Sequence, residues 1–201
     1  QQRDLYRKRS DYKERLGAFE WELPEDTHSD FFVGDLASWW IQNKDDKQPF
    51  FLQIGFPGPH PPYDPVPRYI EPYSNRELPL PEISEEELKT KPPAQQEKID
   101  HDASIDHDSV AWSKNPTKEQ LHRMRAHYLA NVTMIDEKVG QIIDALDKKG
   151  YLDNTIIIFT SDHGDFMGDH HMVRKGEYLY DALLHVPMIW YAPGYIKSGL
   201  R

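Results

Sequence analysis

The stretch from Thr117 to Gly150 constrains this chain more than any other. Thr117-Lys118-Glu119-Gln120, directly after Pro116, has the pattern of a capping box, in which the Thr and Gln side chains each satisfy an amide at a helix start. Gly150 stands where a helix hands over to a C-cap. Between these signals Leu121, Met124, Tyr128, Val132, Ile135, Val139, Ile142 and Leu146 recur at steps of three and four. That is one apolar stripe along one long helix, and it is expected to face a sheet. His122 and His127 on this helix read as structural, and the sequon Asn131-Val132-Thr133, being mid-helix, reads as unmodified.

Three runs supply strands for such a sheet. Ile156-Ile157-Ile158-Phe159 has no polar alternation, as expected of a parallel-sheet strand covered on both faces; Asp153-Asn154 precedes it and Ser161 ends it. Phe50, Phe51, Leu52, Ile54 and Phe56 form a second run, opened by Pro49 and stopped by Pro57-Gly58-Pro59. Val186 to Tyr191 is the third, with His185 read as structural and Pro193-Gly194 as its stop. Leu36, Trp39, Trp40 and Ile41 suit an amphipathic helix from Asp35 to Gln42, ended by Asn43-Lys44-Asp45-Asp46. This alternation predicts an α/β fold: a mostly parallel central sheet with helices on both faces.

Chemistry gathers at the ends of two of these runs. After Ser161 come Asp162, His163 and Gly164, and open α/β sheets bind ligands at the carboxyl ends of their strands. The pair can offer an oxygen and a nitrogen to one divalent cation, with Gly164 letting the backbone bend away; it can equally be a turn whose Asp caps local amides. Asp165, Asp169, His170, His171, Arg174 and Lys175 follow within a dozen residues, a mixture that a site for both a metal and an anion would need. The second run leads into Pro59-His60-Pro61-Pro62-Tyr63-Asp64, where flanking prolines stiffen the backbone around His60; the bland alternative is a proline-rich loop with an incidental histidine.

The remaining sequence bounds the function. At 201 residues the chain suits one medium α/β domain, and 24 Lys plus Arg against 34 Asp plus Glu give a net charge of −10, which argues against nucleic-acid or anionic-membrane binding through bulk charge. With no cysteine, disulfides and thiolate metal sites are excluded. No apolar run is long enough to span a membrane, and no signal-peptide pattern opens the chain. Residues 1 to 30, where Tyr6, Tyr12, Phe19 and Trp21 are spread among charges, read as a surface-draped segment. Residues 71 to 116, rich in proline and carrying the acidic run Glu82 to Glu87, read as a long excursion that is functional or mobile. In it, His101, Asp102, Asp106, His107 and Asp108 are a conceivable second metal site, although their mixing with Ser, Ala and Ile favours a solvated face.

Taken together, Ser161-Asp162-His163-Gly164, Gly168-Asp169-His170, Lys175-Gly176, Val186-Pro187-Met188-Ile189 and Ala192-Pro193-Gly194, with the earlier Gly58-Pro59-His60-Pro61-Pro62-Tyr63, resemble the C-terminal part of the sulfatase catalytic domain in the alkaline phosphatase superfamily. The resemblance implies an incomplete domain over residues 1–201. The family's N-terminal Asp pair and its Cys-or-Ser, x, Pro, x, Arg nucleophile segment, the source of formylglycine, do not occur here, so both are expected in a longer polypeptide. It implies Asp162 and His163 as metal ligands, Ca²⁺ ahead of Mg²⁺ or Mn²⁺. His60 and Lys175 would act as catalytic and substrate-binding groups, with His170 a further substrate contact in the same pocket. The implied substrate is a saccharide or aryl sulfate ester, hydrolysed in a periplasmic, secreted or lysosomal-type setting. A phosphonate monoester or phosphodiester hydrolase of the same superfamily, or a non-catalytic fragment that binds an anion or partner, are the alternatives.

Overall fold

The computed structural model describes residues 2–45, 48–81, 84–106 and 108–199; Asp46, Glu82 and His107 of the patterns above, and the side chain of Arg3, lie outside the description. Seven helices are assigned among the described residues: α1 (Gln2–Arg7), α2 (Ser29–Asn43), α3 (Glu71–Ser74), α4 (Glu85–Leu88), α5 (Pro93–Ser104), α6 (Lys118–Lys148) and α7 (Asp181–Leu184). Two strands, β1 (Ile157–Thr160) and β2 (Met188–Tyr191), pair antiparallel with Ile157 opposite Tyr191 and Thr160 opposite Met188.

The spine is α6. Thr117 Oγ1 accepts from the Gln120 amide at 3.2 Å and Gln120 Oε1 accepts from the Thr117 amide at 2.8 Å, closing the expected capping box. At the other end Gly150 adopts φ 70°, and the Tyr151 amide reaches back to Leu146 O at 2.9 Å. The stripe is buried at Leu121, Met124, Ile135, Ile142 and Leu146, whereas Val132 is exposed. Its main partner is another helix, α2, and not the expected sheet. Where the two helices cross, a Cβ on Gly34 would come within 2.6 Å of the Lys138 side chain. The absence of a side chain is therefore what lets the backbones approach. Lys138 is buried there, its ammonium 2.6 Å from Asp35 and 4.1 Å above the Phe31 ring. The predicted 35–42 helix extends back to Ser29, and its inner face is Phe31, Gly34, Ala37 and Ile41. Leu36 and Trp39 point outward, because small residues and not the largest ones occupy the crossing.

The N-terminal segment corrects a second expectation. Tyr6, Tyr12, Leu16, Ala18 and Phe19 are buried, with the Tyr6 and Phe19 rings stacked at 4.4 Å. Their charged neighbours face water. The segment follows no single period because a short helix, a 3₁₀ turn and a left-handed Leu16-Gly17 pair succeed one another, so its aromatic residues carry no readable pattern.

The sheet differs most. Class α/β stands, with helices around a small sheet, but the described ladder is one antiparallel pair, and its faces are open. Ile156, Ile158, Phe159, Met188, Ile189 and Trp190 are all exposed, against the expectation of a strand covered on both sides. Phe50–Phe56 runs in strict alternation, with Phe50, Leu52, Ile54 and Phe56 packed on Ile41, Ile142 and Leu146, while Phe51 is 91% exposed. No strand is assigned to it, since none of the described residues forms a ladder with its backbone.

The 71–116 excursion is helical and packed. Ile99 of α5 joins Phe166, Met172 and Leu183 in one buried cluster. The expected acidic face dissolves into separate partners: Asp102 is 1% exposed and pairs with Lys98 and Arg174, while Asp106 accepts from Tyr12 and Arg7. Asp102 is thus no solvated residue, since two cations offset the cost of burying it.

Candidate functional site

The turn after β1 is built by hydrogen bonds among its own residues. Ser161 Oγ donates to His163 O at 2.8 Å, and the His163 amide donates to Asp162 Oδ1 at 2.9 Å. His163 Nδ1 lies 2.7 Å from Gly164 O. A carbonyl oxygen has no hydrogen to give, so Nδ1 carries the proton and the neutral ring keeps its lone pair on Nε2. That nitrogen stands 3.5 Å from Asp162 Oδ2. A carboxylate oxygen and an imidazole nitrogen therefore face one small space, with the ring fixed by the backbone behind it, as ligating histidines usually are.

Asp162 is the more open of the two, its side chain 84% exposed. Partial burial pushes its carboxyl up, but the His163 amide and ring and the charge of Lys175 together hold it below the ordinary value. Among the described residues no three His, Cys, Asp or Glu side chains are grouped so that they could hold a metal ion. The donor set thus fits two positions of a divalent cation's shell and leaves the others to groups beyond these residues or to water.

Gly164 has a different purpose from the one its position suggested. A Cβ there would lie 1.9 Å from Ala182 O, and its amide donates to Leu183 O at 2.9 Å. The glycine lets the turn press against α7, so close approach is what requires it.

From Asp165 to Lys175 the chain makes a compact loop with Met167, His170, His171 and Arg174 all in the left-handed region, unusual for such side chains. Arg125 of α6 holds it from one side, donating to Met167 O and Asp169 Oδ1. The excursion holds it from the other. His171 Nε2 lies 2.8 Å from Ser84 O, and Trp112 Nε1 donates to His171 O at 3.1 Å. His170 Nδ1 meets Glu87 Oε1 at 2.6 Å, and its ring stacks on Tyr180 at 4.1 Å. His170 is thereby engaged with α4 and Tyr180. Lys175, next to the buried Arg174, is exposed and near enough to Asp162 to act on it electrostatically.

His60 lies in a segment fastened at several points. The Gly58 amide donates to Asp30 Oδ1 at 2.9 Å; Asp30 is buried, and burial raises its pKa despite that bond and the nearby His28. His60 Nδ1 lies 2.9 Å from Pro61 O, and its Nε2 is 3.9 Å from Asp108 Oδ2. Three residues on, Tyr63 is fully buried and its hydroxyl donates to Asp165 Oδ2 at 2.9 Å. This bond joins the His60 segment to the Asp162-His163 turn across a hundred residues. Sequence reasoning counted Asp165 only as one acid in a mixed cluster and Tyr63 only as part of a motif; the burial that pairs them leaves no local signal.

Comparisons with known proteins bear on the same segments. The Sulfatase family model matches residues 2–200. An arylsulfatase of Clostridium perfringens is 33% identical over 181 residues, 90% of this chain and 35% of that protein. The iduronate 2-sulfatase of Homo sapiens is 31% identical over 182 residues, 88% of this chain and 33% of that protein. Among solved structures, the phosphonate monoester hydrolase of Agrobacterium radiobacter superposes with a TM-score of 0.74 at 27% identity, over 94% of this chain and 39% of that one. The chain spans about a third of the length of the curated relatives it matches.

Proposed function

Because this chain belongs to the sulfatase family, we propose that it supplies one part of a metal-dependent centre that hydrolyses the sulfate ester of a saccharide or an aryl alcohol. The observation that carries this reading is the opposition of Asp162 Oδ2 and His163 Nε2 at 3.5 Å, directly after β1, with His163 Nδ1 spent on Gly164 O. A bound divalent cation, Ca²⁺ ahead of Mg²⁺ or Mn²⁺, would supply Lewis-acid polarisation of the ester oxygens. Asp162 and His163 would hold it from this side, and the other ligands and a formylglycine nucleophile would come from residues outside this chain.

Lys175 offers a compact cation to a tetrahedral oxyanion, which suits binding and charge neutralisation. His60, its Nδ1 proton given to Pro61 O, keeps Nε2 for the leaving oxygen and, when protonated, can deliver a hydrogen bond or a proton there. His170 borders the substrate pocket, set by Glu87 and Tyr180. The matched relatives support a saccharide substrate: one is named an N-acetylglucosamine-6-O-sulfatase and another an iduronate 2-sulfatase. A periplasmic, secreted or lysosomal-type compartment goes with that reading.

A second reading rests on the fold likeness to phosphonate monoester hydrolases, which uses the same segments. Steady-state profiling of the full-length protein with an aryl sulfate, a sugar sulfate and a phenyl phosphonate, metal present, decides between them. Sulfate turnover that falls by orders of magnitude in Asp162→Ala and His163→Ala is the expected result. Preference for the phosphonate moves the assignment to the second reading, and turnover of neither leaves an anion-binding module. Lys175→Ala should slow every substrate. His60→Ala should slow sugar leaving groups more than nitrophenol, by up to about 10² to 10⁴ in rate for a general acid.

A further inference from the structure

We infer that Asp165 is a positioning residue: one inward-facing carboxylate that sets the spacing between the His60 segment, the Asp162-His163 turn and the backbone ahead of Lys175. The inference rests on the hydrolase reading for its consequence in rate, and on contacts alone for the tie itself.

The carboxylate bonds reach the chain at three points. Its Oδ1 accepts the Met167 amide at 3.0 Å and the Arg174 amide at 3.0 Å, and its Oδ2 accepts the Tyr63 hydroxyl at 2.9 Å. With both oxygens so engaged, Asp165 stands behind the site as a support. Each segment it holds is anchored independently on its far side. The Tyr63 amide donates to Gly17 O at 2.8 Å, Tyr63 O accepts from Phe19 at 2.9 Å, and the Tyr63 ring meets Tyr128 of α6 edge-on at 6.0 Å. The Arg174 guanidinium pairs with the buried Asp102, and Arg174 O accepts the Phe166 amide at 2.9 Å. Gly164 is pressed on Ala182 and bonded to Leu183 O.

The Phe166 amide on Arg174 O also joins the turn to the backbone ahead of Lys175, but among the bonds described the His60 segment is tied to both through this side chain. Arg174 also sits at φ 61°, a backbone state an arginine seldom adopts, and its amide faces Asp165. Catalytic groups must be held within about 0.5 Å of their working geometry, and a 1 Å misplacement can cost about 10² in rate. Loss of the tie leaves each segment folded and frees the His60 segment to shift relative to the other two.

Three variants of the full-length protein test it. Asp165→Ala removes all three bonds and should lower kcat by about 10² with little change in KM, since ground-state contacts to substrate stay in place. Asp165→Asn keeps Oδ1 for both amides and offers Nδ2 to the Tyr63 oxygen, so it should recover most of kcat. Tyr63→Phe should lower kcat alone, and add nothing further in the Asp165→Ala background. Wild-type kcat in folded Asp165→Ala, or additive losses in the double variant, overturns the inference. Hydrogen exchange reads the tie without turnover: Tyr63→Phe should quicken exchange at Met167 and Arg174 as well as in residues 57–64. Acceleration confined to 57–64 overturns the tie. A wild-type protein inactive on every ester sinks the hydrolase reading, and exchange still decides the tie; if Asp165→Ala does not fold, the other two variants carry the test.

Discussion

The two ends of α6 hold apolar residues of the same kinds in opposite surroundings. Around Leu121 and Met124, the side chains of Leu16, Tyr63, Val110, Trp112, Met167 and Val173 close on one another and leave almost no surface. Around Ile142 and Leu146, the runs Phe50–Phe56, Ile156–Phe159 and Met188–Tyr191 are covered on one side at most, and Met188, Ile189 and Trp190 face outward. Local preference does not separate the two ends, because the open end has the stronger strand-forming sequence. What separates them is where the partners lie. The closed end is completed by segments 9 to 108 positions from Leu121 and Met124, and the open end presents strand backbone and side chains for which the described residues supply no cover.

The largest effect that would break this contrast lies at the closed end. Met124 is fully buried in the cluster of Leu16, Tyr63, Val110 and Trp112, so Met124→Ala should cost about 2–5 kcal/mol in chemical denaturation. A loss below about 1 kcal/mol would show that this end is as loosely held as the other.

Acid offers a second probe of the same end. Burial lowers the His127 pKa from 6.5 to about 4. The folded state therefore binds this proton less readily than the unfolded chain, and the contribution is complete above about pH 6.5 and lost as pH falls toward 4. Stability should drop by about 2 kcal/mol between pH 7.5 and 5 on this account. Urea midpoints across that range should flatten in His127→Gln, and an unchanged slope would contradict the assignment.

Thr117→Ala removes a cap that anchors the bridge between the two ends, and should cost about 1 kcal/mol, read as a shift in urea midpoint. Smallest of all is Phe51→Asp. At 91% exposure it should change the stability of this chain by less than about 0.5 kcal/mol while raising its solubility. In the full-length protein the same change should cost far more, since a covered Phe51 would then be a buried charge. Equal effects in the two settings would remove the case for cover at the open end.

Legibility in the sequence follows the same division. Capping and periodicity are local, so α6 was readable to its first hydrogen bonds. The strand runs were readable as patterns, but a ladder needs a second chain segment, and for 50–56 no described residue provides one. At the site, the Asp162-His163 turn was visible because its bonds lie within four residues. Asp30, Asp102 and Asp165 were not, since their partners stand 28, 72 and 102 positions away. A buried acid looks in sequence like any other acid. The aromatic residues of the first twenty positions were misread as surface for the related reason that their burial depends on segments they meet only after folding.

The length of α6 gives the two ends a common fate. Its 31 residues make a rod of about 45 Å at 1.5 Å per residue. Arg125, near one tip, grips the loop that leads to Lys175, and Ile142 and Leu146, near the other, carry the alternating run Phe50–Phe56 that precedes the His60 segment. Because both segments bear on one helix, a change in its tilt would move them together, so their placement depends on how the far end of the rod is packed.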